Sequence, residues 1–331
     1  MRVMITGANG FLGRALVQRL LDDGVLRGQT IEALLLLDKT LSGFPDDSRI
    51  RRHQVSVTEP ALLRRALADG VDVVFHLISI PGGAAEEQYS LGYQVNLLAS
   101  LELLEQLRGM RRQPVFVYAS SVAVYGGDLP ARMDEQLSPR PELSYGAHKL
   151  MVETALGDLA RRGEVDGRAL RLPGIVARPR EPNGLRSAFM SDLMRAMADG
   201  EPYRCPVSPQ ATAWWMSARC CVDNLLHAAE LREPGAQRVW QLPVLQLSIS
   251  QVLDALAAAF GQERRGLIEF CPDQGLEALF GRLPTLRTPQ ARALGFRHDG
   301  SATALVRNAL LPSARARRAR SLTATAGVPL P

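Results

Sequence analysis

The run Thr6-Gly7-Ala8-Asn9-Gly10-Phe11-Leu12-Gly13 follows a short apolar stretch, Val3-Met4-Ile5, and leads directly into a helical pattern. A strand, a turn with glycines spaced G-x-x-G-x-x-G and a helix predict the opening unit of a doubly wound α/β sheet whose first turn cradles a dinucleotide. Gly7 can take a backbone conformation closed to other residues, and Gly10 lets the main chain approach a pyrophosphate. Gly13 lets the helix pack tightly on its strand. The helix N-terminus then offers unpaired N–H groups and partial positive charge to phosphates.

The pattern that follows extends this unit. Short apolar runs at Val3–Thr6, Ala33–Asp38, His53–Val57, Val71–Ile80, Val115–Ser120 and Arg168–Leu172 alternate with helical spacing at Phe11–Asp22, Ala61–Ala68, Glu86–Gly109 and Tyr145–Arg162. That alternation predicts βαβ units around a parallel Rossmann sheet, with strands covered on both faces. After Leu172 the chain becomes rich in Pro, Gly and Arg, and a helix near Leu185–Ala198 precedes a loop-rich stretch holding Trp214 and Trp215. Strands and helices resume at Val239–Leu242 and Ser250–Phe260. The expected division is a dinucleotide-binding domain over 1–172, to which elements near 215–260 return, and a smaller C-terminal substrate-binding lid domain over 173–311.

Composition narrows the class. With 331 residues, 46% hydrophobic and 22% charged, the chain has the makeup of a soluble globular enzyme. Its net charge of +5 is spread out, and the densest arginine cluster (Arg315, Arg317, Arg318, Arg320) falls in a tail, 312–331, without apolar periodicity. That tail is expected to be poorly ordered, and nucleic acid is not an expected partner. Cys205, Cys220, Cys221 and Cys271 show no metal-ligand spacing and read as reduced thiols, so no metal is expected and the setting is cytoplasmic. No apolar run approaches the ~20 residues of a membrane span, and the first strand begins too early for a signal peptide.

Three groups of residues carry chemistry. Asp38 ends the second apolar run, where a carboxylate accepts hydrogen bonds from both adenosine ribose hydroxyls and repels a 2′-phosphate, which selects NAD. Lys39 beside it has the opposite tendency, and both also suit ordinary strand-end charges. Tyr145 and Lys149 lie four apart on one helical face. A free phenol has a pKa of about 10. A neighbouring ammonium favours phenolate, which makes Tyr145 a candidate general base with Lys149 its electrostatic helper. Upstream, Ser120-Ser121-Val122-Ala123-Val124-Tyr125-Gly126 closes a buried strand, where a hydroxyl of Ser120 or Ser121 can orient a substrate oxygen toward that base. His76, inside Val73-Val74-Phe75-His76-Leu77, reads as a satisfied core histidine, while Trp214 and Trp215 suit either substrate packing or the lid core.

The glycine turn, Asp38, Asn96 in Tyr93-Gln94-Val95-Asn96, the Ser-Ser-x-x-x-Tyr-Gly run and Tyr145/Lys149 together resemble the extended short-chain dehydrogenase/reductases, the NAD-dependent epimerase/dehydratase group, over about residues 1–311. The resemblance implies Ser121, Tyr145 and Lys149 as the catalytic set. It implies an NAD site made by Gly7, Asn9, Gly10, Phe11, Leu12, Gly13, Asp38, Leu77, Asn96, Tyr145, Lys149, Pro173, Ile175 and Val176. Asn96's counterpart ties down the strand carrying the catalytic serine, and Arg171–Val176 passes beneath the nicotinamide. Relatives dimerise through the helices at 86–109 and 145–162, so a homodimer is expected.

Two departures point away from nucleotide-sugar substrates. Gly174 stands where those members carry Asn, and Trp214-Trp215 occupies the stretch where they carry diphosphate-binding arginines. The segments Ser79–Glu86, Pro173–Pro179 and Cys205–Pro209 are similar to those of one subgroup, the D-erythronate dehydrogenases, which implies oxidation of the C2 hydroxyl of a four-carbon sugar acid. A uronate dehydrogenase, a sugar-nucleotide epimerase or dehydratase, and a non-catalytic dinucleotide sensor are the alternatives; a sensor commonly loses the Tyr or Lys present here. A sugar acid's carboxylate needs a cation or several donors once it leaves water. Ser79, Ser121, Tyr145, Arg178 and Asn183 are therefore expected to line the substrate pocket, with Ser187 on the same crossing.

Overall fold

A computed structural model describes residues 1–110, 112–180 and 186–311. The arginine-rich tail and Asn183 lie outside the described residues. Seven strands form the main sheet: β1 (Arg2–Thr6), β2 (Ala33–Asp38), β3 (Ile50–Gln54), β4 (Val73–His76), β5 (Val115–Ser121), β6 (Asp166–Leu172) and β7 (Val239–Gln241). Every neighbouring pair is parallel, in the order β7-β6-β5-β4-β1-β2-β3. The order reverses between β1 and β4, and in such sheets the ligand crevice opens beyond the carboxyl ends of the strands at that reversal. Thr6 of β1 is in register with His76 of β4, so the glycine turn and the chain after His76 form the two lips of the crevice.

The reason these segments form this sheet is visible in their burial. Val3, Met4 and Ile5, the leucines of β2, and Phe116 and Val117 are buried. Alternate residues feed two different apolar clusters, one on each face: Val3 and Ile5 pack with helix α1 (Phe11–Asp23), and Met4 packs on the opposite side. A strand sandwiched in this way needs apolar residues at consecutive positions, which is why the runs are continuous.

Three expected elements differ. The third strand is Ile50–Gln54 rather than His53–Val57. It is an edge strand that pairs β2 through its backbone, so it tolerates the exposed Arg51 and Arg52, and the apolar Val55 and Val57 lie beyond its end. The fourth strand stops at His76, and the chain to Ile80 leaves the sheet to wall the crevice. The long helix expected over 86–109 is four pieces, Gly82–Glu87, Tyr89–Gly92, a wide π-type turn at Tyr93–Leu98, and Ala99–Arg108. The wide turn falls where Asn96 spends both ends of its amide on Ile80, accepting from its N–H at 2.7 Å and donating to its carbonyl at 3.1 Å.

Beyond β6, Gly174–Val176, Thr212–Ser217 and Leu245–Ser248 form a second, three-stranded sheet. A separate apolar cluster gathers Phe189–Asp199, Ile249–Phe260 and Ala302–Leu310 around Trp215. The return to the main sheet consists of Ala218–Glu230, which packs with α1, and β7. Ile249–Phe260 does not take part in it, because its apolar stripe is buried in the second cluster. Among the described residues, no helix is long and apolar enough to cross a membrane.

Candidate active site

The crevice holds a cavity of about 550 Å³ running from Asp38 at one end to Tyr145, Ser121 and Arg178 at the other. Its floor is the glycine turn. Gly7 sits at φ +71°, and a Cβ there would lie 2.8 Å from the Ile78 nitrogen. A Cβ at Gly13 would stand 2.1 Å from the Gly7 carbonyl oxygen, so this glycine admits the helix against the turn rather than against the strand itself. No side chain caps the N-terminus of α1, which opens onto the cavity through Gly10, Phe11, Leu12 and Gly13.

Asp38 is held in place by backbone donors. Its Oδ2 accepts from Asn9 N–H at 2.9 Å and its Oδ1 from Lys39 N–H at 2.8 Å. Lys39 also reaches the cavity wall. Asn9 is not on the wall; its amide clamps the turn to Thr40 (3.0 Å) and takes a bond from Arg14. Ser56 and Val57, which sequence reasoning missed, complete this end. They were hidden by the misplaced third strand.

At the other end, helix α2 (Ser144–Arg161) presents Tyr145 and Lys149, and its start is fixed by Glu86, whose carboxylate accepts from Ser144 N–H. Ser79, Ser121 and Tyr145 line the same cavity, and the two hydroxyls act on the Tyr145 phenol. Burial pushes that phenol's pKa up, while the two hydroxyls and the Arg178 guanidinium pull against it. Ser121 also accepts from Ala123 N–H at 3.1 Å, which fixes its rotamer. Ser120 turns the other way and donates to Glu153 at 2.5 Å, so of the two serines only Ser121 faces the phenol.

Lys149 is buried behind the cavity wall. Its Nζ donates to the Ala119 carbonyl at 2.7 Å and lies 4.7 Å from the Tyr118 ring centre and 5.5 Å from that of Tyr145. Burial pulls the lysine down to about 7, against the charge of Glu153. Two cations therefore stand near the phenol: the Lys149 ammonium that the sequence pattern pointed to, and the Arg178 guanidinium. Arg178 packs over the Phe11 ring at 5.2 Å, and its backbone is pinned by Ser191, at 3.0 Å, and by Arg195. None of the described carboxylates pairs with its guanidinium.

Other expected residues sort clearly. Leu77, Ser79, Pro173, Ile175, Val176 and Ser187 line the cavity. Asn96 does not, and it anchors the loop that carries Ser79 rather than the strand that carries Ser121. His76 is buried between Thr6 Oγ1 (2.8 Å) and Ser100 Oγ (2.9 Å), a neutral core histidine pushed down to about 3 by burial. Trp214 forms cavity wall, its Nε1 bonded to the Pro284 carbonyl at 2.7 Å, whereas Trp215 belongs to the second core. Gly174 has a steric reason: a Cβ there would come within 2.6 Å of Met190 Cε and 2.9 Å of the Trp214 carbonyl. Met190, Leu279, Phe280 and Leu283 close this end and could not be found by pattern, since they come from distant stretches of chain.

An uncapped helix end above a glycine turn, a fixed carboxylate for ribose hydroxyls and a tyrosine–serine pair at the deep end define a nicotinamide-dinucleotide-dependent oxidoreductase. The residues present fit that cofactor, because a side chain at Gly7 or Gly13 would collide with the turn that has to receive its phosphates. The chain belongs to the NAD dependent epimerase/dehydratase family, whose profile matches residues 3–241. It is 38% identical over 314 residues to the D-erythronate dehydrogenase of Cupriavidus necator, covering 93% of this chain and 97% of that one. The D-erythronate dehydrogenase of Haemophilus influenzae is 34% identical over 306 residues, covering 91% and 96%. A crystal structure described as the nucleoside-diphosphate-sugar epimerase from Agrobacterium tumefaciens superposes with a TM-score of 0.86 at 30% identity, over 93% of this chain and 92% of that one.

Proposed function

We propose that the enzyme oxidises the C2 hydroxyl of D-erythronate to 2-dehydro-D-erythronate, with NAD as the cofactor. The observation that carries the small-acid reading is Arg178, a cation that lines the same cavity as Tyr145 with no carboxylate partner among the described residues. The full-length likeness to two D-erythronate dehydrogenases supports the same substrate. In this reading Tyr145 takes the hydroxyl proton while Ser121 and Ser79 hold the oxygen it leaves, and Arg178 fixes the carboxylate. The bound NAD would supply the acceptor for the C2 hydride. Gly7, Gly10, Phe11, Leu12 and Gly13 would hold the pyrophosphate and Asp38 the adenosine ribose, with Lys149 reaching the nicotinamide ribose and Ile175 and Val176 lying beneath the ring. The second cluster acts as the lid, and the free cysteines of the chain suit a cytoplasmic setting. The exposed Tyr89, Leu98 and Met151 on the helices beside the site support a homodimer through that face.

The test is a panel of four- to six-carbon aldonic, uronic and 2-hydroxy acids with NAD, following NADH absorbance. D-Erythronate should give the highest kcat/KM with net NADH release. Efficient turnover of a UDP-sugar without NADH release would replace this reading by an epimerase.

Cofactor choice is separately testable. Asp38 would face the 2′-position with a full negative charge, so NAD should be preferred to NADP. Asp38→Ala should weaken NAD by roughly tenfold or more, the value of a hydrogen bond to a charged group, and narrow the discrimination. Equal turnover of both cofactors by the unaltered enzyme would instead assign this contact to Lys39.

A further inference from the structure

Behind the Tyr145–Lys149 helix lies a buried polar network that the proposed chemistry leaves unused. Glu153 sits one turn beyond Lys149 on α2 and is buried. Arg171, in β6, grips it through Nε (3.1 and 3.2 Å) and Nη2 (2.7 Å), and places Nη1 on the Tyr125 hydroxyl at 3.0 Å. Ser120, in β5, donates to the same carboxylate at 2.5 Å. The Arg171 carbonyl in turn accepts from Gln241 of β7 at 3.3 Å.

Three members of the network share an element with a group at the reacting end of the cavity or adjoin one. Ser120 precedes Ser121, and Arg171 comes two residues before Pro173 of the segment that lines the cavity. Glu153 shares a helix with Tyr145 and Lys149. Burying an ion pair of this kind is costly in desolvation, and well-packed apolar residues would hold a fold as well. A stabilising role alone therefore does not explain its presence.

Resting on the catalytic reading above, we propose that Glu153 is a positioning residue: held by Arg171 and Ser120, it locks the helix of Tyr145 and Lys149 to the serine strand and supplies the negative charge beneath the lysine. The groups that face Lys149 are few. Tyr118 of β5 and Tyr145 are neutral phenols pushed up by burial, and His76 of β4 is neutral. Glu153 is the anion opposing the desolvation of the lysine. Around Glu153 itself stand Arg171, Ser120 and the phenols of Tyr125 and Tyr118, and Glu135 also acts on Tyr125.

The sign of the effect follows. Activity needs Lys149 protonated, so kcat/KM falls on the alkaline side as the lysine loses its proton. Without Glu153 the lysine loses it at lower pH, and that limb moves down. Glu153→Gln leaves the Arg171 charge stranded, so the double variant Glu153→Gln with Arg171→Met, which removes both charges, is measured beside it, with Glu153→Asp as the conservative control. Both glutamine variants should show the alkaline limb displaced downward by about one pH unit, which is a roughly tenfold loss of kcat/KM above it. Near pH 6 the folded double variant should bind NAD, followed by fluorescence, within a few-fold of the unaltered enzyme, and Glu153→Asp should return the limb toward its original place. Lys149→Met should remove the limb. A limb that persists in Lys149→Met overturns the catalytic reading and this inference with it. A limb that vanishes there but stays in place in the double variant overturns this inference alone, leaving Glu153 a structural residue.

Discussion

Tyr145→Phe is expected to lower kcat by about 10²–10⁴, the usual contribution of a positioned general base, while NAD affinity stays within a few-fold. The substitution removes one oxygen and little else. The ring still packs beside Gly82, where an added Cβ would lie 3.7 Å from that of Tyr145, and it still lies 5.5 Å from the Lys149 ammonium. What disappears is the phenol oxygen on which the Ser79 and Ser121 hydroxyls act. The pH profile gives a second readout. Burial raises the phenol's pKa while the neighbouring hydroxyls and Arg178 oppose that rise, so whatever part of the pH dependence stems from the phenol should be absent from the residual activity of the variant. Steady-state kinetics together with a cofactor titration checks both parts, and a Tyr145→Phe enzyme of near-normal rate would remove the catalytic assignment.

Arg178→Ala is expected to raise the Michaelis constant for D-erythronate roughly 10- to 150-fold, the equivalent of one hydrogen bond to a charged group. The same change should leave the neutral lactone or amide of the acid almost unaffected, because neither carries the charge that the guanidinium would pair. This comparison separates two roles that the geometry brings close together. Arg178 stacks on Phe11 of the glycine turn as well as facing Tyr145. If it served the cofactor's pyrophosphate instead, NAD affinity would fall and acid and amide would suffer alike. Comparing the two substrates and the NAD dissociation constant in one variant distinguishes these outcomes.

The outlook from sequence was good wherever one local rule fixes the structure. Ala33–Asp38 is a strand with the expected bounds, because a strand covered on both faces needs an unbroken apolar run and this one is too short for a buried helix. Phe11–Asp23 and Ser144–Arg161 begin and end within a residue of their expected limits, their spacing being helical throughout. The edge strand and the broken helix were not legible. Ile50–Gln54 is held by backbone pairing to β2 and carries no apolar signature, and the wide turn at Tyr93–Leu98 accompanies a side-chain bond to Ile80, a residue outside that helix.

By itself, then, the sequence determined the parallel sheet, the glycine turn and the tyrosine–lysine helix face, since each rests on neighbours within a few residues. Only the tertiary structure decided which serine faces the phenol, that Arg178 joins Lys149 as a cation near it, and that Asn96 anchors the Ser79 loop. It also decided that Glu153, silent in the pattern, reaches from the tyrosine–lysine helix to Ser120 of β5 and Arg171 of β6. Those outcomes depend on groups separated by tens of residues in the chain, whose charges and hydrogen bonds act through space and acquire a sign and a strength only once burial has removed the water between them.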